Sequence, residues 1–218
     1  MERYFILDKY NTWYDWSLIL TSKDVTPPEP NTHYVTLDGM SGSLDLSEAL
    51  TGEITYKDRH ISASFWTDYG TRTDREKLLR DIRSSLHGRK VKIIEPDDTS
   101  HYFVGRITIK SVVNNLAYAT FTLEATCEPW RYDIDNSVRT IEVNSNTVSN
   151  VVLRLQGVKT VTPIITVTGT VNVVYKGVKT ALIEGSYMIS DIRLHQGVNI
   201  VGVSGNGSVT FTYREADL

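Results

Sequence analysis

Residues 73–87, TDREKLLRDIRSSLH, are the one segment of this 218-residue chain whose apolar residues recur with a helical period. These apolar residues fall on a single stripe of the helix: Leu78, Leu79, Ile82 and Leu86. Four charged residues of the segment are expected to face water: Arg75, Lys77, Arg80 and Asp81. A lone amphipathic helix between runs of strands covers one face of a sheet, so the segment predicts a mainly β fold rather than a doubly wound one.

The same segment carries signals for both ends of the helix. Thr73 is followed three residues later by Glu76, which is the spacing of a capping box. Gly88 stands just beyond the segment, where helices often end in a residue with a left-handed backbone. We therefore predict a helix over about 73–87.

Most of the remaining chain alternates apolar with polar residues or runs in short β-branched segments, which is typical of half-buried strands. One predicted strand places Ile61, Ala63 and Phe65 on one face. The first predicted strands are at 4–7, 17–21, 33–37, 53–57, 60–67, 90–95, 102–113 and 117–126, and the last two form a long hairpin. Later ones are at 138–143, 151–155, 162–168, 171–176, 180–183, 188–194, 197–203 and 208–214. The Gly205-Asn206-Gly207 corner predicts a hairpin turn, because such residues can adopt positive φ.

A change of composition divides the chain. Segment 127–133, CEPWRYD, interrupts the strand pattern with Pro129, and a polar stretch follows it. Beyond this point Val, Thr, Ile and Gly dominate, and Trp is absent. We predict two domains with a boundary near residue 134. Residues 1–133 are expected to form a β-sandwich with the helix and the long β-hairpin, and residues 134–218 a C-terminal β-sandwich.

The bulk composition narrows the class of protein. With 40% hydrophobic and 22% charged residues and a net charge of −3, the chain is typical of a globular protein and does not favour a nucleic-acid partner. The first apolar run is interrupted by Asp8 and Lys9, so we expect neither a signal peptide nor membrane insertion. The single Cys127 cannot form an intrachain disulfide, and we predict a buried residue at a strand end.

No motif predicts catalysis, a cofactor or a metal site. The sequence has no phosphate-binding glycine loop, and the turn 39–43, GMSGS, lacks the second glycine of a nucleophile elbow. The histidines lack the paired spacing of metal ligands: His33, His60, His87, His101 and His195. Asp97 and Asp98 follow Pro96, where aspartates usually bond the backbone of the turn. We therefore predict a protein that is not an enzyme.

Two features leave alternatives open. Basic residues gather in segment 72–90, and we favour a solvated helix face or a subunit contact over a phosphate-binding surface. Trp13, Tyr14 and Trp16 are bulky for a solvent loop. They predict either core residues or a buried interface patch.

The order of these segments resembles one known family. Residues 38–50, DGMSGSLDLSEAL, are similar to the G-x-x-G-x-x-D-L-S-x-x-L run in the N-terminal region of siphophage distal tail proteins. The end of the helix with strand 91–95, the segment 102–106, YFVGR, and the segment 127–132, CEPWRY, resemble the next blocks of that family. Segments 162–169 and 197–201 look like its second β-sandwich, so the resemblance spans nearly the whole chain.

The resemblance implies a structural role in the virion tail of a phage or prophage. Proteins of this family form a hexameric ring that joins the tail tube to the tail tip or baseplate, and they assemble in the cytoplasm of the host bacterium. The implied partners are other copies of the chain, the tail tube protein and the tip or baseplate proteins. The family-like segments make six residues candidates for the interface: Gly39, Gly42, Asp45, Leu46, Pro129 and Trp130.

An alternative function is a carbohydrate-binding β-sandwich module that adheres to a cell surface. Tyr175, Tyr187 and Tyr213 in the C-terminal domain motivate it, because aromatic rings stack on sugar faces. The absence of Trp from this domain argues against direct glycan binding. A β-rich hydrolase is a third hypothesis, although no constellation of residues in the sequence supports it.

Overall fold

The computed structural model describes residues 3–218 and has a mainly β fold with one helix, as predicted. The chain divides into two compact units, one ending at Arg131 and the other covering Tyr132–Asp217. The first unit holds nine strands and the helix: β1 (Ile6–Leu7), β2 (Tyr10–Asn11), β3 (Ile19–Val25), β4 (Tyr34–Val35), β5 (Leu44–Asp45), β6 (Arg59–Thr67), α1 (Arg72–Leu86), β7 (Lys90–Glu95), β8 (Asp98–Asn114) and β9 (Ala119–Cys127).

The main sheet of the first unit is antiparallel and curls on itself. Its strand order is β2-β1-β7-β8-β9-β6-β3, so β1 and β6 are four positions apart. A flat sheet would separate them by about 19 Å. Instead the rings of Phe5, beside β1, and Phe65, in β6, meet edge to face with centroids 6.2 Å apart. The two ends of the sheet therefore face each other across one core, in the manner of a β-sandwich.

The predicted apolar faces form this core. Ile61, Ala63 and Phe65 are all buried, as the alternation of strand β6 predicted. Helix α1 closes the core with Leu79, Ile82 and Leu86. The long β8–β9 hairpin is also present, and its registered pairs run from Gly105↔Cys127 to Asn114↔Ala119.

The start of the helix differs from the prediction. The N-cap is Thr71 and its capping-box partner is Asp74, whereas Thr73 and Glu76 were predicted. The Thr71 amide donates to Asp74 Oδ2 at 3.0 Å, and the Asp74 amide donates back to Thr71 Oγ1 at 3.3 Å. Thr71 and Asp74 have the same i, i+3 spacing as the predicted pair but lie two residues earlier. They follow Gly70 directly, whose φ of +55° turns the chain into the helix. Gly88 has φ +76°, which confirms the left-handed position after the helix.

Arg75 does not face water, contrary to the prediction. Its side chain is 1% exposed, and its guanidinium donates to the backbone carbonyls of Gly70 at 2.9 Å, Asn115 at 2.9 Å and Leu116 at 2.7 Å. The buried cation is stable because carbonyl oxygens surround it. Arg75 thereby ties the first turn of α1 to the tip of the β8–β9 hairpin.

The second unit is built on three long strands. Its strands are β11 (Ser137–Leu155), β12 (Ile164–Tyr175), β13 (Val178–Leu182), β14 (Gly185–Met188) and β15 (Gly197–Tyr213), with the short pair β10 (Arg131–Asp133) and β16 (Ala216–Asp217). The sheet order is β11-β15-β12-β13, and β14 also pairs with β12. Each long strand spans two of the predicted strands. Inner residues from both halves of β15, such as Val203 and Val209, join one core.

The predicted turn at Gly205-Asn206-Gly207 is wrong. These residues continue β15 and pair on both sides, with Gly207 opposite Val143 of β11 and Gly169 of β12. A Cβ atom on Gly207 would overlap the carbonyl oxygen of Thr168, and its φ is +144°. The glycines therefore let a central strand pass where the backbone of its neighbours approaches closely.

Two further predicted strands are absent or displaced. Residues 53–57 form only an isolated bridge, Pro30↔Tyr56. The strand predicted at 188–194 ends at Met188, and the chain then turns with the Ile192 amide bonded to the Ile189 carbonyl at 3.0 Å. Ile192 and Leu194 are nevertheless buried, and Leu194 forms only an isolated bridge with Val161, so the apolar pattern reflects core packing rather than a continuous strand.

Candidate assembly surface

Residues 30–56, here called the arm, leave the main sheet between β3 and β6. The base of the arm is closed by backbone bonds from Asn31 to Thr55 and from Lys57 to Glu29, both at 2.8 Å. Within the arm, β4 and β5 form a separate two-stranded sheet with Tyr34 opposite Asp45. The arm is therefore a projecting element with its own local hydrogen bonds.

Four predicted interface residues lie in the arm. Gly39 and Gly42 have φ of +84° and +85°, and an added Cβ would meet nothing within 4 Å, so conformation rather than space requires glycine there. The Asp45 carboxylate accepts the Ser47 amide at 2.9 Å, and hydrogen bonds from Ser47 lower the pKa of Asp45. The Leu46 amide donates to the His33 carbonyl at 2.8 Å, and its side chain is half-buried.

Apolar side chains of the arm are exposed. Leu50 is 99% exposed. Four other large apolar side chains are between 42% and 58% exposed: Tyr34, Leu37, Met40 and Leu44. Among the described residues, no arm residue belongs to the core cluster of the first unit. The arm contains no lysine or arginine. It carries four carboxylates: Asp38, Asp45, Glu48 and Glu53. An acidic element with several exposed apolar side chains and no core of its own is typical of a surface that a partner covers.

The other two predicted interface residues lie at the base of the arm. The Trp130 ring meets the Tyr56 ring edge to face, with centroids 5.6 Å apart. The Pro129 carbonyl accepts a 2.9 Å bond from Nε of Arg59, which is buried in the first strand after the arm. The structure thus brings the segments around 39–46 and 129–130 to one element of the first unit, although they lie far apart in sequence. Their role in an interface stays a prediction.

The aromatic residues near the N-terminus divide between the two predicted alternatives, core and surface patch. Trp16 is 9% exposed and stacks on Tyr10 with ring centroids 4.9 Å apart, so it belongs to the core. Tyr14 is 69% exposed and contacts the Tyr4 ring at 5.6 Å. The sequence pattern could not separate these cases, because the turn between β2 and β3 decides which ring points inward.

One cluster contains the residue types of a hydrolytic triad. Asp98, Ser100 and His101 meet at the start of β8, with Asp98 Oδ2 2.7 Å and Ser100 Oγ 2.9 Å from His101 Nδ1. A triad needs the serine and the carboxylate on different ring nitrogens. Here both contact Nδ1, and Asp98 also accepts the Ser100 amide at 3.1 Å. The cluster therefore stabilises the start of the strand, and Asp98 bonds the local backbone as predicted. Asp97 differs from the prediction, because its carboxylate pairs with Arg3 at 2.7 Å and Lys23 at 2.8 Å.

Cys127 and the metal-ligating residue types also lack reactive arrangements. Cys127 is fully buried, as predicted, and burial raises the pKa of its thiol to about 12, so the thiol is protonated at neutral pH. Within residues 3–218, no three His, Cys, Asp or Glu side chains are grouped to hold a metal ion. Over the same residues, no helix has the length and apolar character needed to cross a bilayer.

The tyrosines that motivated a sugar-binding surface are engaged in the second unit. Tyr175 and Tyr213 are 7% and 8% exposed. The Tyr213 hydroxyl donates to the Arg154 carbonyl at 2.6 Å, and the Tyr175 hydroxyl donates to the Arg193 carbonyl. Tyr187 is half-buried and bonds the Ile183 carbonyl at 3.1 Å. Since their rings pack inward, these three residues do not form an exposed stacking platform.

Comparison with known proteins identifies the fold. No protein-family model and no curated protein matches the sequence. Among solved structures, the Dit protein of phage SPP1, described as a paradigm of the hub of the adsorption apparatus in phages that infect Gram-positive bacteria, has a TM-score of 0.70 and 14% sequence identity. The match covers 97% of this chain and 98% of that one. The chain therefore has the fold of a siphophage distal tail protein over nearly its whole length, in agreement with the resemblance of its sequence segments.

Proposed function

We propose that this chain is a structural distal tail protein that forms a homo-hexameric ring between the tail tube and the tail tip or baseplate. The observation that carries the proposal is the match in fold to SPP1 Dit over nearly the full length of both chains. A match confined to one sandwich would support only a common β module. A match that covers 97% of this chain, and therefore both units, supports a shared architecture for assembly.

The exposed apolar side chains of the arm are a second argument for the proposed ring, independent of the comparison. A closed ring needs two different surfaces on each subunit, one of which fits the other on the neighbour. The arm supplies a first surface, since Leu50, Tyr34 and their apolar neighbours project from the core without a covering element in the first unit. Burying such side chains at a subunit contact would gain about 25 cal/mol per Å² of apolar area.

We assign the ring-building role to residues 1–133 and treat residues 134–218 as a second domain with a separate task. Residues 1 and 2 lie outside the described part of the chain. The proposed location is the virion tail of a phage or prophage, after assembly in the host cytoplasm. The proposed partners are the tail tube protein and the tip or baseplate proteins, and the role needs no catalysis.

Negative-stain electron microscopy of the purified chain tests this function. We expect closed rings with six-fold symmetry, and we expect these rings to cap the ends of tubes when the tail tube protein of the same particle is added. A chain that gives no rings, alone or with the tube protein, would contradict the proposal.

A further inference from the structure

Helix α1 exposes two flanks of opposite charge. Its buried stripe is Arg75, Leu79, Ile82 and Leu86. At 100° per residue, three exposed arginines, Arg72, Arg80 and Arg83, lie to one side of that stripe, which we call the basic flank. Asp74 and Asp81 lie to the other side, which we call the acidic flank.

The acidic flank borders a cavity of about 270 Å³ between α1 and the turn before β3. Its walls include three carboxylates, Asp15, Asp74 and Asp81, and two aromatic side chains, Trp16 and Tyr69. Lys77 also lines it, which leaves the lining with a net negative charge. Asp15 accepts the Asn11 amide at 2.6 Å, and Asp74 caps the helix, so both are held in place. In residues 3–218, Asp81 has no partner for its carboxylate within ion-pair distance.

This lining suits a guanidinium group. Arginine is planar and delocalised, it bonds carboxylates through two N–H groups at once, and it stacks on aromatic rings. Trp16 is fixed in the core by its stacking on Tyr10. Tyr69 lies just before α1 and is 52% exposed. The cavity therefore offers both kinds of contact that an arginine side chain makes.

The arginines of the basic flank are exposed and form no ion pair within the described part of the chain. This holds for Arg72, Arg80 and Arg83 against all of residues 3–218. Glu76 lies among them, but its carboxylate accepts a 3.1 Å bond from the Asn114 amide group. The two flanks lie on roughly opposite sides of one rigid helix, so they cannot reach each other within one chain. They can meet only between copies.

We propose that the acidic cavity of one copy receives Arg80 or Arg83 from the basic flank of the neighbouring copy. This inference rests on the proposed ring and names its second contact. The contact joins different surfaces of the two copies, as a closed ring requires, and its charges fix the direction in which copies follow one another. It does not involve the arm, so the two contacts can be tested separately.

A charge-swap experiment tests the contact. Variant one, Arg80→Glu with Arg83→Glu, makes both flanks acidic, and variant two, Asp15→Lys with Asp81→Arg, makes both basic. Light scattering on the full chain over a range of concentrations is expected to show association weakened roughly tenfold or more for each variant alone. An equimolar mixture is expected to restore hexamers, because alternating copies again place opposite charges at every contact. Association of the wild-type chain should weaken as salt is raised.

Controls separate this contact from folding and from the ring itself. Arg139→Glu with Lys179→Glu reverses two exposed charges of the second unit and is expected to leave association unchanged. Thermal melting checks that each variant folds, and the single changes Arg80→Glu and Asp81→Arg serve as a milder pair. If the wild-type chain is a hexamer and the variants assemble equally well, or folded variants fail to recover on mixing, the contact is wrong and the ring stands. A wild-type monomer would overturn both.

Discussion

The guanidinium of Arg75 donates a 2.7 Å hydrogen bond from Nη2 to the carbonyl oxygen of Leu116, whose own side chain is 85% exposed. The same nitrogen also donates to the Asn115 carbonyl at 2.9 Å. One buried side chain of the helix therefore holds the tip of the β8–β9 hairpin, together with the side-chain amide of Asn114, which donates to the Arg72 carbonyl at 3.2 Å and to Glu76 at 3.1 Å. The hairpin tip and the start of the helix form one hydrogen-bonded element.

Replacing Arg75 by Met tests this element. The change removes the donor to the carbonyl oxygens of Gly70, Asn115 and Leu116, and we expect it to lower the free energy of unfolding by about 3 kcal/mol, measured by urea denaturation. Arg89→Met is the matched control, because Arg89 is exposed at the end of the same segment, and its loss should change the free energy by less than about 0.5 kcal/mol. Equal effects of the two changes would refute the role of Arg75.

Gly207→Ala tests the close approach of β12 to β15. The added methyl group would overlap the Thr168 carbonyl of the neighbouring strand, and φ is +144°, so we expect a loss of more than about 3 kcal/mol in the free energy of unfolding. Gly177→Ala is the control, since its φ is +83° but its Cβ would meet nothing within 4 Å, and it should cost about 1 kcal/mol. A tolerated Gly207→Ala would mean that the strands do not approach closely there.

The carboxylate of Asp98 predicts a pH dependence of stability. Although burial opposes ionisation, hydrogen bonds from Ser100 and His101 lower the pKa of Asp98 from 3.8 to about 2. A lowered pKa in the folded state means that the stabilisation is present above 3.8, declines as pH falls towards 2 and is absent below both values. Since the side chain is 23% exposed, we expect a contribution of about 1 kcal/mol.

Comparing Asp98→Asn with the wild-type chain by urea denaturation measures this contribution. The difference in free energy of unfolding should be present at pH 6 and should shrink towards zero near pH 2. A difference of the same size at both pH values would show that the ionised carboxylate is not its source.

Leu37→Ser with Leu50→Ser tests the arm. Both side chains are exposed, 48% and 99%, so we expect the free energy of unfolding of the single chain to change by less than about 0.5 kcal/mol. Association, followed by light scattering, should weaken roughly tenfold or more, because apolar anchors of a subunit contact are lost. Val178→Ser, at a residue 61% exposed in the second unit, is the control and should leave association intact. Unchanged association of the arm variant would remove the arm from the interface.

The sequence pattern correctly predicted those elements in which buried residues recur with a single period, either that of a strand or that of a helix. The alternation of Ile61, Ala63 and Phe65 and the stripe of Leu79, Ile82 and Leu86 both lie in the core as expected. The stripe also contained the signal for Arg75, which stands four residues before Leu79 on the same face. The charge of Arg75 predicts a solvent-exposed side chain. The carbonyl oxygens that stabilise it in the interior belong to residues 40 and 41 positions away, which a local pattern does not include.

Other features depend on contacts that no local pattern carries. Gly205-Asn206-Gly207 has the composition of a hairpin turn, but its pairing with β11 and β12 on both sides makes it part of a central strand. Gly39, Gly42, Asp45 and Leu46 were found through resemblance to a family, and the structure adds that they shape one projecting arm with Trp130 near its base. The cavity beside the acidic flank could not be predicted from the sequence, because only the fold brings Asp15 next to the helix.

The mass of the chain in solution tests the central claim most directly. Light scattering coupled to size-exclusion chromatography at micromolar concentration should give a particle of six times the 24.6 kDa chain. A mass of one chain at every concentration, persisting after the tail tube protein is added, would contradict the account.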